Sequence, residues 1–147
     1  MITCNKYVFN MPTVESRYLG DLRTEAVHVK SGTVIRTDAP VDNQGKGELF
    51  SPSDLVAAAL ASCMMTIMGI VARRDGLELT GTLAETEKTM SAEPPRKIAR
   101  IGITLTMITD RELSEAEKKK YEHAAHQCPV ALSLHPAIEQ VVQFNWV

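Results

Sequence analysis

Cysteine is scarce in this sequence, and its scarcity excludes several classes of protein. The 147 residues contain three cysteines, at positions 4, 63 and 128. They are too few and too scattered for a disulfide scaffold, and no Cys-x-x-Cys motif is present. Cys4 lies in an alternating, strand-like segment, so we expect it to be a buried structural thiol.

Other signatures are missing as well. The sequence has no Gly-x-Ser-x-Gly motif, no P-loop and no dinucleotide-binding fingerprint. A net charge of −2 gives no general attraction to nucleic acid or to an anionic membrane, so we expect neither as a partner. The first residues show no basic leader with an apolar core and a cleavage site. We therefore expect a cytoplasmic protein, in which disulfides are usually transient.

The length and the order of the patterned segments predict one α+β domain over residues 1–147. Residues 38–50 are rich in proline, glycine and acidic residues and predict a long loop of the kind that often carries function. Ser31 and Gly32 fit a two-residue hairpin turn. Strands are predicted at 2–10, 17–30, 77–90, 97–109 and 139–147. On the last of these, alternate residues face one way: Val141, Gln143, Asn145 and Val147.

The clearest helix runs from Pro52 to about Arg74. Ser51 can cap it, Asp54 completes a capping-box pattern, and Asp75-Gly76 is a suitable stop. Residues 55–72 carry no charge, which raises the alternative of a membrane span. The stretch is rich in alanine, has a small or polar stripe at helical spacing, and lies between strands. These features favour a core helix.

Cys128 is predicted to cap a short helix. A capping box at Ser114 opens a charged helix through about Gln127, and Pro129 suits the start of a new helix over 130–134. A thiol at a helix N-terminus is favoured as thiolate, and His123 and His126 on the preceding turn could add to this effect. The alternative is a buried, unreactive cysteine. A zinc site with His135 matches no standard ligand pattern, and we expect no metal or cofactor.

Cys63 lies in the middle of the long helix, where no helix end helps and burial raises a thiol pKa. On local sequence alone it resembles a core residue. It becomes a nucleophile only if the fold delivers a cation, and Arg23 and Arg36 are the candidates from the β segments. The neighbouring methionines could line an apolar pocket or simply belong to the core: Met64, Met65 and Met68.

The stretch Ser-Pro-Ser-Asp-Leu-Val-Ala-Ala-Ala-Leu-Ala-Ser-Cys63, followed by Cys128-Pro129-Val130, resembles the OsmC/Ohr family. These are osmotically induced and organic hydroperoxide resistance proteins. The likeness extends upstream to Tyr18-Leu-Gly-Asp-Leu-Arg-Thr and downstream to the closing strand. It implies an OsmC-like α+β fold with an N-terminal antiparallel meander, a long buried helix, a second sheet with C-terminal helices, and an intertwined homodimer.

The resemblance also implies roles. Cys63 would attack the peroxide and become a sulfenic acid, and Cys128 would condense with it to a disulfide. An external dithiol, which is a lipoyl group in the Ohr branch, would restore both thiols. Arg23 is the best match for the arginine that stabilises the Cys63 thiolate. The family places a glutamate after the helix-opening proline, where this chain has Ser53. Asp54 or Glu48 could substitute for it.

Three hypotheses follow. The first is a cysteine-based peroxidase acting on organic hydroperoxides. The second is a non-enzymatic OsmC-like protein that binds a small apolar or acyl ligand in a pocket at the dimer interface. The third is a structural or interaction role with both thiols buried and inert.

Overall fold

The computed structural model describes residues 11–147. Its internal contacts divide into two compact units, one reaching to Pro52 and one comprising Ser53–Val147. The strand predicted at 2–10 and the role predicted for Cys4 lie outside the described residues. A single domain over residues 1–147 stays a prediction.

The N-terminal unit contains an antiparallel three-stranded meander, as the sequence predicts. Its strands are β1 (Val14–Gly20), β2 (Arg23–His28) and β3 (Val34–Asp38), with β2 in the centre. The predicted β segment 17–30 contains parts of two strands, because the chain reverses at Asp21 and Leu22. Both residues have positive φ, 49° and 60°. Leucine rarely adopts that conformation, so the sequence carries no standard turn signal here.

Two loops complete this unit. The β2–β3 hairpin is confirmed, but its loop has four residues rather than two, since the His28 amide donates to Thr33 O across positions 29–32 at 2.9 Å. The predicted long loop after Asp38 folds back on the end of β3. A Cβ on Gly45 would lie 1.7 Å from Ala39 O, and Gly47 N donates to the same oxygen at 3.1 Å. Glycine at 45 therefore permits the close return.

The C-terminal unit contains the long helix, a second three-stranded sheet and two further helices. Its elements are α1 (Pro52–Arg74), β4 (Leu83–Met90), β5 (Ile98–Met107), α2 (Glu115–His126), α3 (Pro129–Ser133) and β6 (Glu139–Trp146). The central strand β5 runs antiparallel to β4 and parallel to β6. The strand predicted at 77–90 begins only at Leu83. A turn that passes through Gly81, at φ +94°, precedes it.

The core of this unit lies between one face of α1 and the inner face of β5. Leu60, Met64 and Met68 are fully buried on the helix, and Ile101 and Leu105 are fully buried on the strand. The strand alternates between buried and half-buried positions, as predicted from its period of two. Met64 and Met68 are therefore core residues rather than the lining of a pocket.

The opposite face of α1 is uncharged and exposed. Its exposed positions recur at helical spacing: Ala58, Ala59, Ser62, Thr66 and Ile70. By length and composition α1 could cross a membrane, with a mean hydropathy of 2.2 over its most apolar window, of which 33% is buried. The fully buried face confirms the predicted core helix. The other face remains uncovered in the single chain.

Hydrogen bonds attach α2 to the C-terminal end of α1. Ser114 and Glu117 form the predicted capping box at the start of α2. The buried Tyr121 hydroxyl donates to Asp75 Oδ2 at 2.7 Å, and Lys120 Nζ donates to both oxygens of the same carboxylate. These bonds restrain α2, and hence the segment that follows it, against the helix that carries Cys63.

Candidate functional site

The C-terminal unit brings Cys63 and Cys128 together. Cys63 lies near the middle of α1, and Cys128 lies between α2 and α3. Cys63 packs against the buried core cluster that contains Cys128, close enough to raise the pKa of the Cys128 thiol, and both are free thiols. The two sulfurs are thus neighbours, although 65 positions separate the residues in the sequence. Proximity of the two residues is the first condition for a disulfide between them.

Cys128 is the N-cap of α3, as the sequence predicts. Its Sγ accepts a hydrogen bond from Ala131 N at 3.3 Å, and Pro129 occupies the first turn of the helix. The side chain is fully buried. Its sulfur is therefore both a packing atom of the core and a cap for the backbone of α3.

Burial controls the acidity of Cys128. Burial raises the pKa of the Cys128 thiol, the Ala131 amide opposes the shift, and the neighbouring Cys63 raises the pKa further. The prediction that the helix N-terminus activates Cys128 is thus wrong, because desolvation outweighs the few N–H groups of a five-residue helix. His123 and His126 are both exposed, and the His126 ring lies edge-on to Phe144.

Cys63 is the more accessible of the two thiols. It is half-buried, and it packs against the core while its helical neighbours Ser62 and Thr66 face outward. Cys63 thus borders the exposed face of α1, whereas Cys128 is shielded from solvent.

In the N-terminal unit, Arg23 forms ion pairs with two carboxylates. The β2–β3 register places Arg23 directly opposite Asp38, and Arg23 Nη2 lies 3.3 Å from Asp38 Oδ2. The same nitrogen contacts Glu48 Oε2. Glu48, foremost, and Asp38 raise the pKa of Arg23 above its ordinary value. Of the two carboxylates proposed to replace the family glutamate, Glu48 is thus the one in contact with the arginine.

Asp54 and Ser53 lie in the first turn of α1 and share a partner. Lys88 Nζ lies 2.8 Å from Asp54 Oδ1 and donates to Ser53 Oγ at 2.8 Å. The other candidate cation, Arg36, binds Glu25 through Nε at 2.8 Å. The cysteine pair belongs to the C-terminal unit and the Arg23 cluster to the N-terminal unit. A role for Arg23 at Cys63 stays a prediction.

Asp38 is a site residue that the sequence does not single out. It is fully buried, and its Oδ2 accepts hydrogen bonds from the Glu48 amide at 3.0 Å and from Arg23. The Glu48 amide, with Arg23 contributing, lowers the pKa of Asp38 against the opposing effect of burial. The only sequence signal was an acidic residue at the junction of a strand and a long loop.

No group of three or more histidine, cysteine, aspartate or glutamate side chains among residues 11–147 could hold a metal ion.

Comparison with solved structures gives closely similar folds. A protein from Psychrobacter arcticus 273-4, named for osmotic stress induction and a detoxification response, is 48% identical, with a TM-score of 0.88 over 95% of this chain and 99% of that one. The organic hydroperoxide resistance protein OsmC of Legionella pneumophila is 18% identical, with a TM-score of 0.68 over 92% and 98% of the two chains.

A third structure is an organic hydroperoxide resistance protein from Vibrio cholerae with captopril bound in one of its active sites. It is 16% identical and has a TM-score of 0.70 over 96% of each chain. At these low identities the Legionella and Vibrio structures support the fold alone. A search of curated protein sequences gave no match.

A protein-family model assigns the sequence to a family. The model of OsmC-like proteins matches residues 45–142, a range that contains both cysteines of the pair, Glu48 and Asp54. The α+β fold and the family predicted from the sequence are confirmed. The chain belongs to the OsmC-like protein family.

Proposed function

We propose that this protein is a cysteine-based peroxidase that reduces organic hydroperoxides. The single observation that carries the proposal is that Cys63 and Cys128 are neighbours in the core of the C-terminal unit. Two neighbouring free thiols, one half-buried and one fully buried, suit a two-electron exchange with a small substrate. Family membership and the hydroperoxide-resistance proteins of similar fold support the choice of substrate.

The proposed reaction has three steps. The Cys63 thiolate attacks the terminal oxygen of R–O–O–H, the O–O bond breaks, and the leaving alkoxide takes a proton to become an alcohol. Cys63 is now a sulfenic acid. The Cys128 thiol then attacks the Cys63 sulfur, forming a disulfide and releasing water. An external dithiol reduces that disulfide by thiol exchange and is itself oxidised to a disulfide.

Arg23 is proposed as the cation that stabilises the attacking thiolate, as the family resemblance implies. A guanidinium stays charged when it is buried, so it can perform this task in an apolar surrounding. Glu48, which contacts Arg23, is proposed to orient it in place of the glutamate absent at Ser53. Asp54 has Lys88 as an ionic partner and is the weaker candidate.

A homodimer and a cytoplasmic location complete the proposal. The exposed uncharged face of α1 is a surface that a second copy of the chain would bury, and its small alanine and serine side chains allow close helix packing. A reducing compartment would keep the Cys63–Cys128 disulfide transient.

Thiol titration tests the proposed function. One equivalent of cumene hydroperoxide should remove two thiols per chain, and Cys63→Ser should abolish the loss. Cys128→Ser should leave a sulfenic acid on Cys63 that dimedone traps. Cys4→Ser is the matched control and should still lose two thiols. If every thiol remains titratable after treatment with several peroxides, the peroxidase proposal fails and the ligand-binding hypothesis takes its place.

A further inference from the structure

Asp38 is the buried half of the carboxylate pair that contacts Arg23. Its side chain is fully buried, whereas 61% of the Glu48 side chain is exposed. A buried carboxylate keeps its charge only when it is paired and hydrogen-bonded, so its partners are restrained in turn. Glu48, by contrast, can exchange Arg23 for water at little cost. The two carboxylates therefore differ in how firmly they restrain the guanidinium.

The backbone fixes Asp38 in place. Asp38 is the last residue of β3 and is paired across the sheet with Arg23, the first residue of β2. Its own amide donates to Phe50 O at 3.1 Å, at the far end of the loop. Its Oδ2 accepts from Glu48 N at 3.0 Å. One carboxylate oxygen thus connects Arg23 to the loop that carries Glu48.

The Nε donor of Arg23 is buried and has no acceptor among residues 11–147. The contacts of Arg23 with both carboxylates use Nη2. Asp38 Oδ1 is likewise buried and has no hydrogen-bond partner in this range. A buried unsatisfied donor costs free energy and commonly marks the place of an absent acceptor. A thiolate or a peroxide oxygen is an acceptor of the required kind.

We propose that Asp38 is the positioning residue of Arg23: it holds the guanidinium and the Glu48 loop in one arrangement, in which the buried Nε keeps a fixed orientation. This inference rests on the proposed function. It adds a buried carboxylate on β3 to the orienting role proposed for Glu48, whose exposed side chain is the exchangeable partner of Arg23. Asp38 acts only through Arg23 and touches no reacting atom.

The test compares Asp38→Asn with Arg23→Gln in a Cys4→Ser/Cys128→Ser background, where Cys63 is the only thiol. The readouts are the pH dependence of Cys63 alkylation by iodoacetamide and the rate constant for cumene hydroperoxide. Both variants should slow Cys63 alkylation and the peroxide reaction at pH 7 by about tenfold or more, the equivalent of ~1.4 kcal/mol in the barrier. Asp21→Asn, in the exposed β1–β2 turn, is the charge-matched control and should change neither.

The direction of the change in alkylation rate separates positioning from simple charge. If Arg23 stayed in place without Asp38, removal of a negative charge would favour the thiolate and speed alkylation of Cys63. Alkylation of Asp38→Asn that is as fast as in the parent or faster, together with slower alkylation of Arg23→Gln, overturns the role of Asp38 and leaves the peroxidase proposal intact. If Arg23→Gln leaves Cys63 alkylation and the peroxide rate unchanged, the roles of both Arg23 and Asp38 are overturned. If peroxide fails to oxidise Cys63 at all, the proposed function itself is overturned.

Asp38→Glu keeps the test decisive if Asp38→Asn does not fold. It retains the charge but moves the carboxylate by one methylene, so the peroxide rate should fall between those of the parent and Arg23→Gln. A rate equal to that of the parent overturns the inference.

Discussion

Cys128 has a structural role that can be separated from its proposed redox role. In the reduced protein, Cys128→Ala removes a fully buried sulfur and the hydrogen bond that Sγ accepts from Ala131 N. The lost cap costs about 1 kcal/mol and the lost apolar contacts about as much as one methylene, giving a loss of about 2 kcal/mol in the free energy of unfolding. For a chain of this size the melting temperature should fall by about 4–8 °C.

Cys128→Ser should lose only about half as much, because a hydroxyl accepts the same hydrogen bond and serine is a favoured N-cap. The assay is urea unfolding under a reductant that keeps all thiols free. Cys63→Ala is the matched control; it removes a half-buried sulfur that caps nothing, so it should cost less than about 1 kcal/mol. The reasoning is refuted if Cys128→Ala unfolds at the wild-type midpoint, or if alanine and serine destabilise equally.

Two further predictions concern the C-terminal unit. Arg111, with the Ser114 amide, lowers the pKa of Glu117 from 4.5 to about 2. The ionised Glu117 therefore stabilises the fold fully above about pH 4.5, and this stabilisation is lost as the pH falls toward 2. Glu117→Gln should lose less stability between pH 7 and pH 3 than the wild type in urea titrations. Equal losses would contradict it. Met68→Ala, at a fully buried position of α1, should lower the free energy of unfolding by about 2–5 kcal/mol. Met11→Ala, at an exposed position, is the control and should lower it by less than about 0.5 kcal/mol. Similar urea midpoints for the two variants would contradict the core described above.

Elements that depend on local chemistry were predictable from the sequence. Ser114 and Glu117 form the predicted capping box, Cys128 caps the helix that begins at Pro129, and α1 ends where Asp75-Gly76 predicts. The β1–β2 turn was not predictable, because Asp21 and Leu22 adopt positive φ values that leucine disfavours. The sheet supplies the compensating hydrogen bonds, and these depend on residues elsewhere in the chain.

The carboxylates around Arg23 were also only partly predictable from the sequence. The sequence left Asp54 and Glu48 as equal candidates and omitted Asp38. The register of β2 with β3 decides that Asp38 faces Arg23, and the return of the loop at Gly45 decides that Glu48 reaches it. Neither fact is local, because register depends on pairing across the whole sheet.

By itself the sequence determined the family, the long uncharged helix with Cys63 at its middle, and the helix cap at Cys128, since motifs, periodicity and capping act over a few residues. Only the tertiary structure decided that the two cysteines are neighbours in space and which of them is shielded from solvent. It also reversed the expected acidity of Cys128, because the pKa of a thiol depends on desolvation by every element packed around it and on the few N–H groups next to it.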